Sequence, residues 1–363
     1  MRTGTGTGAG MDPCVERSWL RCLAAMQEPD RAPSFDTIAV PALRRTLDEH
    51  RLLLQAARPV LERLGRAIAG TRYFSILTNQ HGVVIDASGA IDRSDRRADL
   101  ITRIGTDLSE QHLATTAIGA ALAELQPVWL HQGEHFFESN AVYSCAGAPI
   151  FGPDGACVGM LDLTGIEATE RPELKHLVAQ SACSIENALA LGTFHAQRGL
   201  VLRLNWPGPA LGGETDALVC LDADGLVLGA NQAARKMVPQ LGAPPTSRLH
   251  CSELFAIAFE TLFDAARAPA NRSIPLEVPL WTGLRLYALP TAPGHSFAAP
   301  PNFTATAAPA LAMPPALPLR DIETALIRKA VDDARGNVAQ AAKALGVSRA
   351  TVYRRLAPAH KRH

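Results

Sequence analysis

The chain has 363 residues, of which 47% are apolar and 19% charged, with 35 Lys and Arg against 35 Asp and Glu. That length gives room for two or three domains, the composition is that of a soluble globular protein, and no apolar run approaches the roughly 20 residues of a membrane span. The formal charge is zero overall, so charge informs on partners only where it is segregated along the chain.

The N-terminus, "MRTGTGTGAGMDP", has no apolar core and does not read as a signal peptide. Residues 1–15 are expected to be a flexible tail, or the product of a start set too early, with Met11 the true one. The spaced glycines imitate a nucleotide-binding loop, but no strand precedes them. Leu43 to Gly70 carries a long helical pattern with Leu47, Leu54, Leu61 and Leu64 among its apolar positions. "YFSILTNQHGVVIDASG" reads as strand, turn at Asn79–Gly82, and strand. A helix of small residues follows over Thr115–Leu125. Val128–Leu130, Val142–Ala148 and Cys157–Leu163 are strand-like, the last two joined by the turn "GPDG". Pro172 marks a helix start and Glu173–Leu191 the helix. An α+β fold follows, with an antiparallel sheet and helices before and after it.

Residues 214–290 hold a second, shorter segment of the same kind. "ALVCLDADGLVLGANQAARKM" gives strand, Asp-Gly turn, strand, and a helix opening at Asn231, and "IPLEVPLWTGLRLYALP" supplies closing strands. Residues 291–318 are rich in Ala and Pro and uncharged, a linker that would span on the order of 30 Å if flexible.

The signals for catalysis are weak. Cys14, Cys22, Cys145, Cys157, Cys183, Cys220 and Cys251 form no C-x-x-C pair, which points to buried free thiols in a reducing cytoplasm. "HQGEH", His131–His135, has the H-x-x-E-H spacing of a zinc hydrolase, but a strand leads into it and Gly133 breaks the helix that chemistry needs. A loop or pocket wall is the plainer reading. No nucleophile elbow and no paired Cys–His spacing is present. The five lysines, Lys175, Lys236, Lys329, Lys343 and Lys361, never follow a glycine, so the chain contains no G-x-x-x-x-G-K-[ST] loop to cradle ATP phosphates. No catalytic residue, metal or cofactor is expected, and the protein is not expected to be an enzyme.

"GNVAQAAKALGVSRATVYRRL", Gly336–Leu356, is different in kind. Asn337 can cap a helix on which Val338, Ala341, Ala342 and Leu345 make a narrow apolar face. Gly346 suits the helix end, Val347 can tuck under the turn, and Ser348 can cap a second helix with Val352 and Leu356 inward. Arg349, Thr351 and Arg354 then face outward as base or phosphate contacts, with Lys343, Tyr353 and Arg355 beside them. From Asn337 to His363 there are six Lys or Arg and no acid. This is the helix-turn-helix pattern with the electrostatics of a polyanion binder.

The segment closely resembles the Fis-type DNA-binding domain through Asn337, Ala341, Ala342, Leu345, Gly346, Val347, Ser348, Arg349, Thr351, Val352, Tyr353, Arg354, Arg355 and Leu356. The resemblance implies a preceding dimerising helix, which "LRDIETALIRKAVDDARG" supplies, so residues 319–363 form the all-α DNA-binding domain. Upstream, "SWLRC" (Ser18–Cys22), "LLLQAARPVLERL" (Leu52–Leu64), "AIGAALAE" (Ala117–Glu124), "EHFFESN" (Glu134–Asn140) and "APIFGPDGACVGMLDLTG" (Ala148–Gly165) resemble the sensor region of acetoin-catabolism-type regulators. These are Fis-family activators of sigma-54. The resemblance implies a GAF-like sensor over residues 16–195, a small-molecule-binding fold with an antiparallel sheet, and a reduced PAS-like segment over 214–290. By position it places Trp129, His131, His135, Phe136, Tyr143 and Cys145 near the ligand. Where the family often has Gly-Thr-Asn before Ala-Ile-Gly, this chain has Ala114-Thr115-Thr116, which alters the ligand if those residues shape its site. The family's central ATPase domain has no counterpart between Pro290 and Arg320.

The function expected is therefore a cytoplasmic, sequence-specific DNA-binding transcriptional regulator that senses a small molecule and acts without ATP hydrolysis. Its partners would be double-stranded DNA, a small-molecule effector, a second copy of the chain, and RNA polymerase or a full-length family member. The alternative is an enzyme or dimerisation scaffold on the sensor fold with a basic tail that tethers it to DNA.

Overall fold

The computed structural model describes residues 11–208, 211–214, 216–242, 249–267 and 275–292, together with residues 331, 337, 338, 340, 342, 347, 349 and 352. The chain divides into two compact units, Met1–Ser296 and Phe297–His363. Among the described residues no helix is long and apolar enough to cross a membrane.

The first unit opens earlier than the sequence reading placed it. Helix α1 spans Pro13–Ala24, with the Asp12 carboxylate accepting from the Cys14 amide at 2.8 Å and Pro13 in the first turn. Cys14 and Val15 are buried, so the tail expected through residue 15 ends by Asp12. The single helix expected over Leu43–Gly70 is two, α2 (Val40–Glu49) and α3 (Arg51–Ala67). They meet at His50, whose ring Nδ1 lies 2.7 Å from the Thr46 carbonyl oxygen while its own carbonyl receives the Leu54 amide. Side-chain capture of a helical carbonyl closes one helix where the next begins.

Strands β1 (Tyr73–Asn79) and β2 (Val84–Gly89) form the expected hairpin. Helices α4 (Arg96–Thr102), α5 (Glu110–Leu113) and α6 (Ala117–Glu124) follow, then β3 (Val128–His131), β4 (Tyr143–Phe151), β5 (Cys157–Ile166) and the long α7 (Leu174–Gln197). The sheet order is β2-β1-β5-β4-β3, antiparallel throughout. Both faces are covered. On one, α3 and α7 bury Tyr73, Leu77, Ala146, Ala148, Ile150, Leu161 and Leu163. On the other, α1, α4 and α6 pack over Phe74, Ile76, Cys145, Met160 and Ile166. The two-residue alternation of strand side chains sends each set to its own face.

A second five-stranded sheet follows in the same unit. It contains β6 (Leu200–Asn205), β7 (Ala217–Leu221) and β8 (Val227–Ala230), the helices α8 (Gln232–Met237), α9 (Cys251–Leu254) and α10 (Phe259–Arg267), then β9 (Leu276–Pro279) and β10 (Arg285–Thr291). Its order is β8-β7-β6-β10-β9. The arrangement is that of the first sheet with one change: the central strand comes first in the chain instead of last. Strand β6 precedes residue 214, where the sequence reading began this segment, because the hairpin β7–β8 reads as a natural start. Thr291 belongs to β10, so the linker expected from 291 begins after the strand; residues 293–318 lie outside the described set.

A buried polar network fastens α7 to this second sheet. The Asn231 side chain accepts from the Leu218 and Ala234 amides at 2.9 Å each, and donates to the Asp216 carbonyl at 2.9 Å and to Asn187 Oδ1 at 2.5 Å. One side chain thus caps α8, pins β7 and grips α7. Replacing it takes a partner from two buried donors and two acceptors at once. Asn231→Ala is expected to destabilise the chain by about 2–3 kcal/mol in urea unfolding; a change below about 0.5 kcal/mol would show the network to be dispensable.

Candidate functional site

Between the sheet face covered by α1 and α4–α6 and its cover lies a cavity. It is a cavity of about 30 Å³, room for at least one water. Strand β4 contributes Tyr143 and Cys145, and β5 contributes Asp162 and Thr164. The loop before β4 brings His135 and Asn140, and the start of α6 brings Thr116, Ala117 and Ile118. Ile76, Ile101, Leu108, Leu113 and Phe35 make the apolar remainder.

Of the six ligand candidates taken from the sequence, His135, Tyr143 and Cys145 line this cavity. Trp129 and His131 do not, because alternation along β3 turns them to the opposite face. There Trp129 packs on the core under α3 and α7, stacked on His131 at 6.3 Å, and His131 Nδ1 lies 2.6 Å from Ser144 Oγ. Phe136 is also elsewhere, buried beneath α1 with its ring 5.1 Å from that of Trp19. The "HQGEH" stretch is a strand end followed by a single 3-10 turn, Gln132–Glu134. The Glu134 carboxylate accepts from the His131 amide at 2.6 Å. His131 and His135 therefore do not share a helical face, the arrangement a zinc hydrolase would need.

Asp162 and Thr164 were not among the candidates. Their signal was present: "GMLDLTG" puts an acid at an inward position of a strand that is otherwise apolar on both faces, and buried acids are rare unless paired. Asp162 is fully buried. The Thr164 hydroxyl donates to its Oδ2, while Oδ1 has no hydrogen-bond partner. Burial pushes this carboxyl up to about 7, against the opposing pull of the Thr164 bond. His135 is the second orphan. Its Nδ1 lies 3.0 Å from the Gln132 carbonyl oxygen and its Nε2 has no partner. Burial lowers its pKa to about 4, so the ring is neutral at pH 7. A carbonyl oxygen only accepts, hence Nδ1 carries the proton and Nε2 is a bare acceptor. The Cys145 thiol, 3.4 Å from Thr164 Oγ1, is driven well above its usual range by burial and stays protonated.

The cover is held from outside. The Ser18 hydroxyl bonds Glu110 and Thr115 at 2.9 Å each, and Arg21 bridges Glu110 and Glu124 at 2.7 and 2.6 Å. Ala114, which stands where the resembled family often has Gly, takes a φ of 54°. Glycine adopts that conformation without strain, and alanine does so at a cost on the order of 1 kcal/mol or more.

In the second unit, the Asn337 side chain accepts from the Gln340 amide at 3.2 Å, as an N-cap does. Ala342 and Val352 are buried together, with Val331 and Val338 against them. The Val347 amide bonds the Ala342 carbonyl at 3.0 Å. Val347 itself is 38% exposed rather than tucked away. Arg349 is helical and exposed. Lys343, Ser348, Thr351, Tyr353, Arg354 and Arg355 lie outside the described residues.

The Asp162 assignment has a testable sign. An acid with a raised pKa in the folded chain favours folding in its protonated form. That contribution is complete below about 4 and is lost as pH rises through about 7. Asp162→Asn removes the titration. Relative to the variant, the parent is expected to lose about 2–4 kcal/mol between pH 5 and pH 8. Urea melts of both proteins at the two pH values measure it; a parent-to-variant difference that does not change with pH would contradict the assignment.

Two family models match the chain. Residues 2–187 match the family described as MimR, N-terminal domain, and residues 318–357 match the bacterial regulatory protein, Fis family. The acetoin catabolism regulatory protein of Cupriavidus necator is 31% identical over 263 residues, 70% of this chain and 38% of that protein. The propane 2-monooxygenase operon transcriptional activator MimR of Mycolicibacterium goodii is 30% identical over 179 residues, 49% of this chain and 30% of that one. This chain thus spans about a third of the length of the curated relatives it matches. Among solved structures, the E. coli DhaR(N)–DhaL complex aligns over 78% of this chain and all of that one, with 14% identity and a TM-score of 0.48.

Proposed function

The chain belongs to the family that carries the MimR N-terminal domain, and from that premise we propose that it is a sequence-specific DNA-binding transcriptional regulator controlled by a small molecule. The observation that carries the reading is one chain holding both a partly polar cavity on its first sheet and a Fis-family segment at residues 318–357. The relatives' names supply the class: both curated proteins named above are operon or pathway regulators. We read the first sheet, in the order β2-β1-β5-β4-β3 with a cavity on one face, as GAF-like, and the second, with its central strand moved to the front, as PAS-like.

The chain works in the cytoplasm as a homodimer joined through the helix around Ile322, with the linker after β10 tethering the DNA-binding end. With no phosphate-binding loop between sensor and DNA-binding segment, it acts without ATP hydrolysis. It modulates or represses rather than driving sigma-54 polymerase directly, and RNA polymerase or a full-length family member is its further partner. Arg349, Thr351 and Arg354 read bases or flanking phosphates, with Lys343, Tyr353 and Arg355 beside them. Asn337 and Ser348 hold the two helix starts against the DNA backbone.

The test is DNA binding to the promoter region beside the protein's own gene. Arg354→Ala is expected to weaken binding by about 1–3 kcal/mol if it pairs with a guanine, and Arg355→Ala to reduce the salt dependence. An Arg349→Ala, Arg354→Ala double variant that binds unchanged would remove the recognition helix from this role. No DNA binding by the parent at modest salt would remove the regulator reading altogether.

A further inference from the structure

We propose that α1 is a releasable strap: the motif Ser18–Cys22 fastens it across two walls of the cavity, and this ionic fastening opens while both sheets stay folded. The motif stands out in the sequence, yet none of its residues lines the cavity. All of its side chains but that of Leu20 reach instead for the elements that do. The Ser18 hydroxyl bonds Glu110 and Thr115 at 2.9 Å each. The Trp19 indole donates to the Glu134 carbonyl at 2.8 Å and packs its ring on Phe136. Arg21 holds Glu110 and Glu124 together, and Arg17 adds a second pair to Glu124 at 2.5 Å. Cys22 lies 3.5 Å from Thr115 Oγ1 and shares a small buried cluster with Ala114, Phe136 and Phe137.

The attachment is chemically inverted. Helix α1 turns Cys14, Val15, Ser18 and Cys22 inward, while Leu20 and Leu23 are 59% and 53% exposed. Its two leucines thus contribute little to holding it down. Helix α3, by contrast, buries Leu53, Val60, Leu61 and Leu64 in the core. A helix held by buried aliphatic side chains leaves only with the core beneath it. A helix held at its rim by ion pairs and hydrogen bonds leaves at lower cost, and segments with few buried apolar contacts are the ones that open locally. Arg17 and Arg21 are half-exposed, so dissolved ions screen their pairs with Glu110 and Glu124.

What the strap holds is poised to move. The first wall is the turn from α5 to α6, from which Leu113, Thr116 and Ala117 line the cavity. Ala114 lies within that turn at a φ of 54°, a conformation that alanine keeps only while its surroundings impose it. Cys22 and Thr115 are part of those surroundings. The second wall is the loop after β3, which brings His135 and Asn140 to the cavity. It is tied by Trp19 at Glu134, and by the Glu138 amide, which donates to the Pro29 carbonyl at 2.9 Å. Release of α1 therefore removes the outer support of both walls at once.

The experiment is amide hydrogen exchange of the full chain, read peptide by peptide, in the parent and in Arg21→Met. Peptides from α1 are expected to exchange ahead of those from β4 and β5. Raising NaCl from about 0.05 M to about 0.5 M should speed α1 at least about fivefold and leave β4 and β5 unchanged. Arg21→Met should speed α1 by about tenfold at low salt and weaken its response to salt. Two buried thiols report on the walls: Cys145 lines the cavity and Cys220 lies in the second sheet. In Arg21→Met, iodoacetamide should reach Cys145 well before Cys220. Exchange of α1 in step with β4 and β5 would show that it opens only with the sheet. Early exchange of α1 that ignores both salt and Arg21→Met would show fraying without an ionic fastening. Cys145 as protected as Cys220 in the variant would show α1 leaving without the walls. Any one of these three results overturns the strap. If the variant does not fold, the salt response of α1 in the parent decides, with Cys145 and Cys220 labelled in the parent at high salt.

Discussion

A carboxyl group fixed at the centre of a sheet, without a cation beside it, is the constraint from which the rest of the first sheet follows. Strand β5 is hydrogen-bonded on both sides, and Asp162 sits opposite Ile76 on β1 and Gly147 on β4. Water cannot reach it, so its charge must be satisfied by the Thr164 hydroxyl, by a proton, or by whatever enters the cavity. Gly147 opposite it has a second consequence. A Cβ there would lie 3.0 Å from the Ala117 carbonyl oxygen and closer still to the Met160 side chain. Helix α6 can settle this low because that side chain is missing and because its own buried face is Ala117, Gly119, Ala120 and Ala121. The small-residue helix, the glycine on β4 and the buried acid on β5 are thus one packing solution: they bring α6 close over the sheet face while leaving space beneath it.

The same economy of form recurs in the second sheet. Moving the central strand to the front of the chain lets α7 run straight into β6, so one helix covers the first sheet and delivers the chain to the middle of the second. A helix shared in this way needs fixed register at both ends. On the first sheet, Glu186 accepts the Phe151 amide at 2.9 Å, with burial pushing its carboxyl up to about 7. On the second, Asn187 meets Asn231 one residue later along the helix. Polar contacts in a desolvated setting specify geometry more sharply than apolar packing does, since each misalignment leaves a buried group unpaired.

Much of this was legible in the sequence, and the failures have physical causes. Elements with a strong period or a strong cap were read to within a few residues: the β1–β2 hairpin with its turn at Asn79–Gly82, the small-residue helix behind its Thr116 cap, and α8 behind Asn231. The break at His50 was missed because it comes from a side chain competing for a backbone carbonyl, which leaves no gap in the apolar period. Strand β6 was missed because its partners, β7 and β10, both come later in the chain, and a strand defined by distant pairing has only weak local signals. Among the cavity residues, proximity to the motif was enough for His135, Tyr143 and Cys145. It failed for Trp129 and His131, where a shift of one residue along a strand decides the face. It overlooked Asp162, which looked like one more letter of a motif.

The turn "GPDG" joins these threads. It connects β4 to β5, the two strands that carry Tyr143, Cys145, Asp162 and Thr164 to the cavity. At its tip the Pro153 carbonyl accepts two bonds from the second sheet's elements, from the Ala230 amide at 2.8 Å and from Arg235 Nη2 at 2.9 Å. The contact is tight on both sides: a Cβ at Gly155 would lie 2.9 Å from the Arg235 guanidinium carbon, and one at Gly229 would lie 3.0 Å from the Pro153 oxygen. The hairpin is paired from Tyr143↔Ile166 to Phe151↔Cys157, with one irregularity between Ile150 and Phe151. Strands β4 and β5 thus connect the cavity to α8 through a single paired element rather than through a chain of loops. Interfaces packed this closely have discrete arrangements rather than a continuum. The buried acid lies on one strand of this paired element, and the elements of the second sheet pack on its tip.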